Sequence, residues 1–321
     1  MAESLRVVAG KRDFERALNA DELSVHFQPV IRLDTGAVRG AEALLRWKHP
    51  ELGLLPAAAF LPQLEDTPFI TRLTSFVLQR ACRTIAEHAP ADWSVAVNVT
   101  AADACREELV EQVTSALADS GLAASRLILE ITETGLLGNH TDCVGVLTRL
   151  RELGVTIALD DFGTGYSSLS MVRELPITEL KIDAVFVAAM ESRSTDAAIV
   201  TSIIRLAESI GATVVAEGVE KQSQAALLSQ LGCGFAQGYL WSQAEPIDEV
   251  IKLRPMPFGR GMHLGTPSAV TKRVIVLSES GASAHTIAGA LNADGLRTPT
   301  GKRWHPSSVA DLLRRQESTS S

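Results

Sequence analysis

At 321 residues, 46% hydrophobic and 21% charged, the chain has the composition of a globular protein with a sizeable core, built as one large domain or two smaller ones. No run approaches the ~18 apolar residues of a membrane span, and the opening MAESLRVVAGKRDF holds no apolar leader core. A soluble cytoplasmic protein is expected. The net charge of −8 is unevenly placed: residues 254–321 hold nine Lys/Arg against four acids, net +5, which leaves −13 on residues 1–253. That asymmetry predicts two modules with different partners.

Arg12 to Ala20 reads as a short amphipathic lead-in helix. Val25–Ile31 reads as a strand, Asp34-Thr35-Gly36 as a tight turn, and Ala37–Trp47 as a second strand that so short a link forces antiparallel to the first. A loop bearing Pro50, Pro56 and Pro62 follows, then a helix over Thr71–His88. From there strands and helices alternate. Strand Ser94–Val99 precedes a helix near Cys105–Ser120, and strand Leu127–Thr132 a helix near Cys143–Leu153. A strand from Val155 to Asp160 leads to a helix over Ser167–Glu174, and Glu179–Asp183 to a helix near Asp196–Ile210. Thr213–Ala216 leads to a helix from Ser223 to Leu231, and Gly234–Leu240 is the last strand. Eight strands with helices at a period of roughly 30 residues predict an α/β fold, a TIM-like (β/α)8 barrel of about 250 residues with its first strand antiparallel. A doubly wound sheet is the competitor, but no G-x-G-x-x-G follows the first strand. The four cysteines, Cys82, Cys105, Cys143 and Cys233, lie far apart without a C-x-x-C, which indicates neither a zinc site nor a disulfide framework. The histidines show no H-x3–5-H pairing either, so a metal here would be held by oxygen.

Polar residues interrupt these strands: Glu42, Asn98, Glu130, Asp160, Asp161, Lys181, Glu217 and Gln237. Each has a structural explanation alone. Asn98 could cap a helix, Lys181 could snorkel, and Gln237 could satisfy a barrel backbone group. Together they fall near the carboxyl ends of consecutive strands, where such barrels place their active sites. Five carboxylates converging without a cation would repel strongly. The stretch that organises them is Val155–Ser168, VTIALDDFGTGYSS, a buried strand ending in two aspartates and a glycine loop. Neighbours on a regular strand point to opposite faces. At a fraying strand end both aspartates can turn toward one centre, and a divalent cation is the usual reason to crowd them. The triplet D-F-G is no sign of a kinase, since no V-A-I-K strand or H-R-D loop accompanies it.

The motifs Phe27-Gln28-Pro29, Glu42-Ala43-Leu44-Leu45-Arg46, Val97-Asn98-Val99, Glu130-Ile131-Thr132-Glu133, Asp160 to Ser168, Lys181-Ile182-Asp183, Glu217-Gly218-Val219-Glu220 and Gln237-Gly238-Tyr239 follow one another in order. In this, residues ~10–253 resemble the EAL-domain phosphodiesterases, which hydrolyse the bacterial messenger cyclic di-GMP. The resemblance implies that Glu42, Asn98, Glu130 and Asp160 hold one Mg²⁺ or Mn²⁺, and that Asp160 bridges to a second ion also held by Asp161 and Glu217. It implies that Glu217 is general base or metal ligand, and that Lys181 orients the water or neutralises phosphoryl charge. Gln28, Leu44, Arg46 and Gln237 would contact substrate. Glu133 and Thr164 would support the loop over 162–168, and Glu220 the site from behind. The implied product is linear pGpG, and a homodimer through the barrel is an expected assembly. Ala58-Ala59 before Phe60, Pro68 and Gly234 depart from the family's usual residues and touch no metal ligand. The rival reading is a non-catalytic cyclic di-GMP receptor that signals through its C-terminal module.

That module carries the pattern I-A-x-x-L-N-x-x-G-L-x-T-P-x-G-x-x-W-x-x-x-x-V-x-x-L-L from Ile287 onward, which resembles the helical, DNA-contacting segment of large serine recombinases. Helices are predicted over Ser268–Ser280, Ser283–Asn292 and Pro306–Arg315, with Trp304 anchoring a small core. A helix-turn-helix that reaches DNA is the functional expectation, and a packing element with solvated charges the plain one. The domain reading is a tail over 1–10, the barrel over 11–253, a linker over 254–266, the helical module over 267–316 and a tail over 317–321.

Overall fold

Eight strands form a closed ring in the computed structural model, which describes residues 11–64, 67, 69–136, 140–164, 169–258, 274, 277, 282–294 and 303–310. Strands β1 (Leu23–Arg32) and β2 (Val38–His49) pair antiparallel, with Gln28 opposite Glu42. Parallel pairing then runs from β2 through β4 (Ser94–Asn98), β5 (Leu127–Thr132), β6 (Thr156–Phe162), β7 (Glu179–Ile182), β8 (Thr213–Ala216) and β9 (Phe235–Ala236). Strand β9 closes on β1 antiparallel, Ile31 opposite Ala236. The expected (β/α)8 barrel with an inverted first strand is thus the observed one. Two differences are local. A short strand β3 (Gly53–Pro56) folds back on Arg46–His49 of β2 where a loop was expected, through a turn that Gly53 enters with φ +75°. The last strand pairs over two residues only, because the segment from Gln237 leaves the ladder to line the barrel mouth.

Helices α1 (Lys11–Asn19) and α2 (Phe69–His88) lead off, followed by α3 (Ala101–Ala104), α4 (Glu107–Ser120), α5 (Glu133–Leu136), α6 (His140–Glu152), α7 (Leu169–Glu174), α8 (Ala184–Ala189), α9 (Ser194–Ile210), α10 (Gln222–Leu231) and α11 (Ile247–Val250). Helix α2 shows why they pack: Phe69, Ile70, Leu73, Val77, Leu78, Ala81 and Ile85 recur at three- and four-residue steps and are all buried. The helix expected near Cys105–Ser120 is α4, and the short α3 precedes it. Thr100 caps α3 by accepting from the Asp103 amide at 3.1 Å, and α4 ends on Gly121 at φ +69°. Buried Asp103 accepts from Thr71 Oγ1 at 2.7 Å and Thr74 Oγ1 at 2.9 Å, which ties α3 to α2. Cys105 and Cys143, 38 residues apart, form a disulfide that the sequence spacing did not indicate. Packing of α3 against α6 brings them together.

Inside the ring, alternation along each strand sets the layers. Ala96, Ile128 and Ala158 form a small apolar cluster. Two residues further along the same strands stand Asn98, Glu130 and Asp160, so the same faces that fill the barrel also present its polar rim.

The chain divides into two compact units, Met1–Gly261 and Met262–Ser321. In the second, a helix over Ala284–Ala293 is capped by Ser283, whose Oγ accepts from the Thr286 amide at 3.2 Å. Its core holds Val274, Ile287, Ala288, Leu291, Trp304 and Val309. Asn292 brackets the Trp304 backbone, donating to its carbonyl at 2.8 Å and accepting from its amide at 2.9 Å. Trp304 is therefore a core anchor, and residues 306–310 are helical. Most of Ser268–Ser280, together with Lys302, Arg314, Arg315 and the 165–168 stretch of the glycine loop, lies outside the described residues.

Candidate metal centre

The two adjacent aspartates share one site because β6 carries a bulge. Leu159 pairs with Leu180 and Phe162 with Ile182, so Asp160 and Asp161 together oppose the single residue Lys181. Asp161 takes a left-handed φ of +55°, unusual for a residue other than glycine. A strand simply fraying at its end, as the sequence suggested, is replaced by a bulge inside a continuing strand. Asp160 Oδ1 then accepts from the Asp161 amide at 2.9 Å, and Thr164 Oγ1 closes the turn on the Asp161 carbonyl at 2.9 Å. Glu133, fully buried at the start of α5, accepts from the Gly163 amide at 2.9 Å.

Lys181, 1% exposed, sits at the middle of a carboxylate cage. Its Nζ lies 2.7 Å from Glu217, 2.9 Å from Glu130, 3.3 Å from Asp160 and 3.7 Å from Glu42. Amides complete the wall. Asn98 Nδ2 donates to Glu42 Oε1 at 2.6 Å, and Gln237 Nε2 donates to Glu42 Oε2 at 2.6 Å and to Glu217 Oε1 at 3.4 Å. Burial would discharge Lys181, but the charges of Glu130, Glu217, Glu42 and Asp160 outweigh it and hold the ammonium well above its ordinary pKa. Burial pushes Glu217 up to about 8, with the Asp160 and Glu42 charges adding to it against Lys181. Burial likewise raises Glu130, and raises Asp161 to about 6 with help from the Asp160 charge. Glu42 goes the other way: burial opposes its ionisation, yet Lys181 and the bonds from Gln237 and Asn98 hold it below the ordinary range.

At the mouth, Gln28 Nε2 donates to the Ser242 carbonyl at 3.2 Å, and Arg46 Nη1 to the Leu45 carbonyl at 3.0 Å. Leu44 and Arg46 follow Glu42 on one face of β2 at two-residue steps and are half-buried. Glu220 is not drawn into the cluster. Its side chain is exposed, and among the described residues its carboxylate has no hydrogen-bond or ion-pair partner; its amide donates to Gln224 instead. Two residues quoted in the motifs without a role join the site. Asp183 lies near enough to Asp161 to help raise its pKa, and it caps α8 by accepting from the Val185 amide at 2.6 Å. Tyr239, 65% exposed, lies near enough to Arg46 to act on its charge. Two-residue spacing from Lys181 and from Gln237 was the signal for both.

The donor set fits divalent cations. Oxygens of Asp160, Asp161 and Glu217 lie within 4.8 Å of one another. Glu130 Oε2, although 2.9 Å from Lys181 Nζ, accepts no well-oriented hydrogen bond, and Gln237 Oε1 is buried without one. Hard cations take such carboxylate and amide oxygens.

The EAL domain family model matches residues 11–244, and the Recombinase family model residues 267–318. The bifunctional diguanylate cyclase/cyclic di-GMP phosphodiesterase MucR of Pseudomonas aeruginosa is 40% identical over 242 residues, 74% of this chain and 35% of that protein. The cyclic di-GMP phosphodiesterase NbdA of the same organism is 42% identical over 240 residues, 74% of this chain and 31% of that one. The chain spans about a third of the length of these curated relatives. The solved structure of the PaMucR phosphodiesterase in complex with c-di-GMP superposes with a TM-score of 0.71 at 40% identity, covering 74% of this chain and 98% of the other. The EAL domain of Mycobacterium smegmatis DcpA does so with a TM-score of 0.61 at 33% identity, covering 72% and 95%. With its barrel matched from 11 to 244 and its motifs in place around Lys181, the chain belongs to the EAL domain family.

Proposed function

We propose that the barrel is a metal-dependent phosphodiesterase that hydrolyses cyclic di-GMP to linear pGpG. The observation that carries this reading is the cage itself: Glu42, Glu130, Asp160 and Glu217 all within 3.7 Å of Lys181 at the carboxyl ends of the strands. Relatives named as cyclic di-GMP phosphodiesterases support the substrate. Glu42, Asn98, Glu130 and Asp160 would hold one Mg²⁺ or Mn²⁺, and Asp160, Asp161 and Glu217 a second. Ions there would supply Lewis acidity toward a water and toward the phosphodiester oxygens.

The chain's own groups do the rest. Burial makes the Glu217 carboxylate more basic than an ordinary one, so it is suited to accept a proton leaving an attacking water. Lys181, in direct contact with Glu217 Oε1 at 2.7 Å, keeps its ammonium and would donate to a water seated beside the pair. Arg46 grips a phosphate through its planar fork, with Gln28, Leu44 and Gln237 bordering the ligand. Tyr239 offers an exposed ring to a purine base. Incubation with cyclic di-GMP and Mg²⁺ or Mn²⁺, followed by chromatography, should show pGpG accumulating. Tight binding without pGpG would instead make the barrel a receptor.

For the C-terminal unit, DNA contact is the proposed role. Its support is the match to the Recombinase family over 267–318 together with the excess of Lys and Arg.

A further inference from the structure

We propose that Cys105 and Cys143 are a thiol–disulfide switch that sets how firmly Glu133 holds the Asp160–Asp161 turn, and with it the barrel's affinity for divalent cations. The inference rests on the metal-site reading above.

The other two cysteines provide the contrast. Cys82 and Cys233 are buried in the core, and burial pushes both thiols up to about 12, where they are inert. Cys105 is half-buried at the C-terminal end of α3, and its partner Cys143, fully buried, lies in the first turn of α6. The bridge therefore ties two elements, with its Cys105 end partly exposed.

One end of that tie is fixed. Helix α3 is capped by Thr100 and anchored to α2 through Asp103 and its two threonine hydroxyls, at 2.7 and 2.9 Å. The other end leads directly out of the segment that carries Glu133. Between the tied points, α5 packs on α3 so closely that a Cβ on Gly135 would lie 3.1 Å from Ala101 Cβ. Glu133 opens α5 with Oε2 on the Gly163 amide at 2.9 Å and Oε1 buried without a partner. Gly163 is two residues beyond Asp161, and α5 also packs on β6. The disulfide ties α6 to α3, α5 packs on α3, and α5 positions the turn that presents both aspartates. With the bridge open, α6 keeps its core packing and, from its last turn, an exposed ion pair between Arg149 and Glu107, which leaves its first turn held less tightly than by a covalent link.

The chemistry is thiol exchange. Two low-molecular-weight thiols reduce the bridge to two protein thiols and leave as one small disulfide, and the reverse reaction with a small disulfide restores it. Glu133 is thus a positioning residue and the cysteine pair its control.

The test uses the full chain equilibrated in oxidised or reduced glutathione, with thiols counted by alkylation and mass spectrometry. Mn²⁺ affinity is read by electron paramagnetic resonance, and amide exchange is followed over residues 156–164. The bridged form should show two alkylatable thiols on denaturation. It should bind Mn²⁺ about tenfold more tightly than the reduced form, the low end of what outer-shell contacts contribute to metal affinity. Residues 156–164 should exchange faster on reduction. Cys105→Ser and Cys143→Ser should behave as the reduced form in either buffer, and Cys82→Ser as the native chain. Four thiols after oxidation, or equal exchange and equal Mn²⁺ affinity in both forms, would overturn the switch. Redox-dependent exchange with no Mn²⁺ bound in either form would overturn the metal-site reading and the affinity control built on it.

Discussion

Replacing Glu217 with glutamine keeps its shape but removes the charge that Lys181 meets at 2.7 Å. Turnover of cyclic di-GMP should fall by roughly 10²–10⁴-fold, the usual contribution of a positioned base. Glu42→Ala should cost at least as much, because it strands the amides of both Asn98 and Gln237, each donating at 2.6 Å. Steady-state kinetics on both variants check this, and native activity in either would show the site to be misplaced. Glu133→Ala should act differently, lowering Mn²⁺ affinity by about 10–100-fold while leaving the fold intact; metal titration beside a melting curve separates the two effects. At this scale much of the cage was legible in the sequence, since Glu42, Glu130, Lys181 and Glu217 are charges in otherwise apolar strands. The conformation of Asp161 was not. A positive φ is anticipated at glycine, and only the ladder of β6 with β7 reveals that an aspartate adopts it.

Between elements, the loops after β8 and β9 interlock. The Val219 amide donates to the Gln237 carbonyl at 3.1 Å, and the Leu240 amide to the Val219 carbonyl at 2.9 Å. Gly238 makes that approach possible: a Cβ there would lie 2.2 Å from the Val219 carbonyl oxygen, and φ is +157°. Gly238→Ala should therefore destabilise the barrel by about 3 kcal/mol through overpacking and backbone strain. It should also slow turnover, because Glu217 and Gln237 ride on the two loops. Urea unfolding beside kinetics would test it, and an unchanged midpoint would contradict the interlock. Strand and helix order was readable from alternating apolar runs. The bridge between Cys105 and Cys143 was not, since spacing along the chain says nothing of two helices packing side by side. Strand β3 was hidden among the prolines of its segment, of which Pro56 stands at its end.

For the whole molecule, the charge asymmetry makes a quantitative prediction. If Lys302, Arg303, Arg314 and Arg315 each neutralise a phosphate, log affinity for duplex DNA should fall with log salt at a slope of about −3.6. Gel-shift titrations of the full chain against a chain ending at 253 would show it, and equal retardation of the two would assign the C-terminal unit to packing or protein contact. The barrel's closure has a separate consequence, for synthesis. Ile31 finds its partner at Ala236, some 205 residues later. As the nascent chain leaves the ribosome, β1 has β2 on one side and an open row of amides and carbonyls on the other. That edge stays open while every other barrel strand is made, and non-local closures of this kind are slow. Translation that halts before residue 235 would leave an unsealed sheet prone to pairing with its neighbours, so degradation of stalled fragments should matter more for this protein than for one built from local contacts.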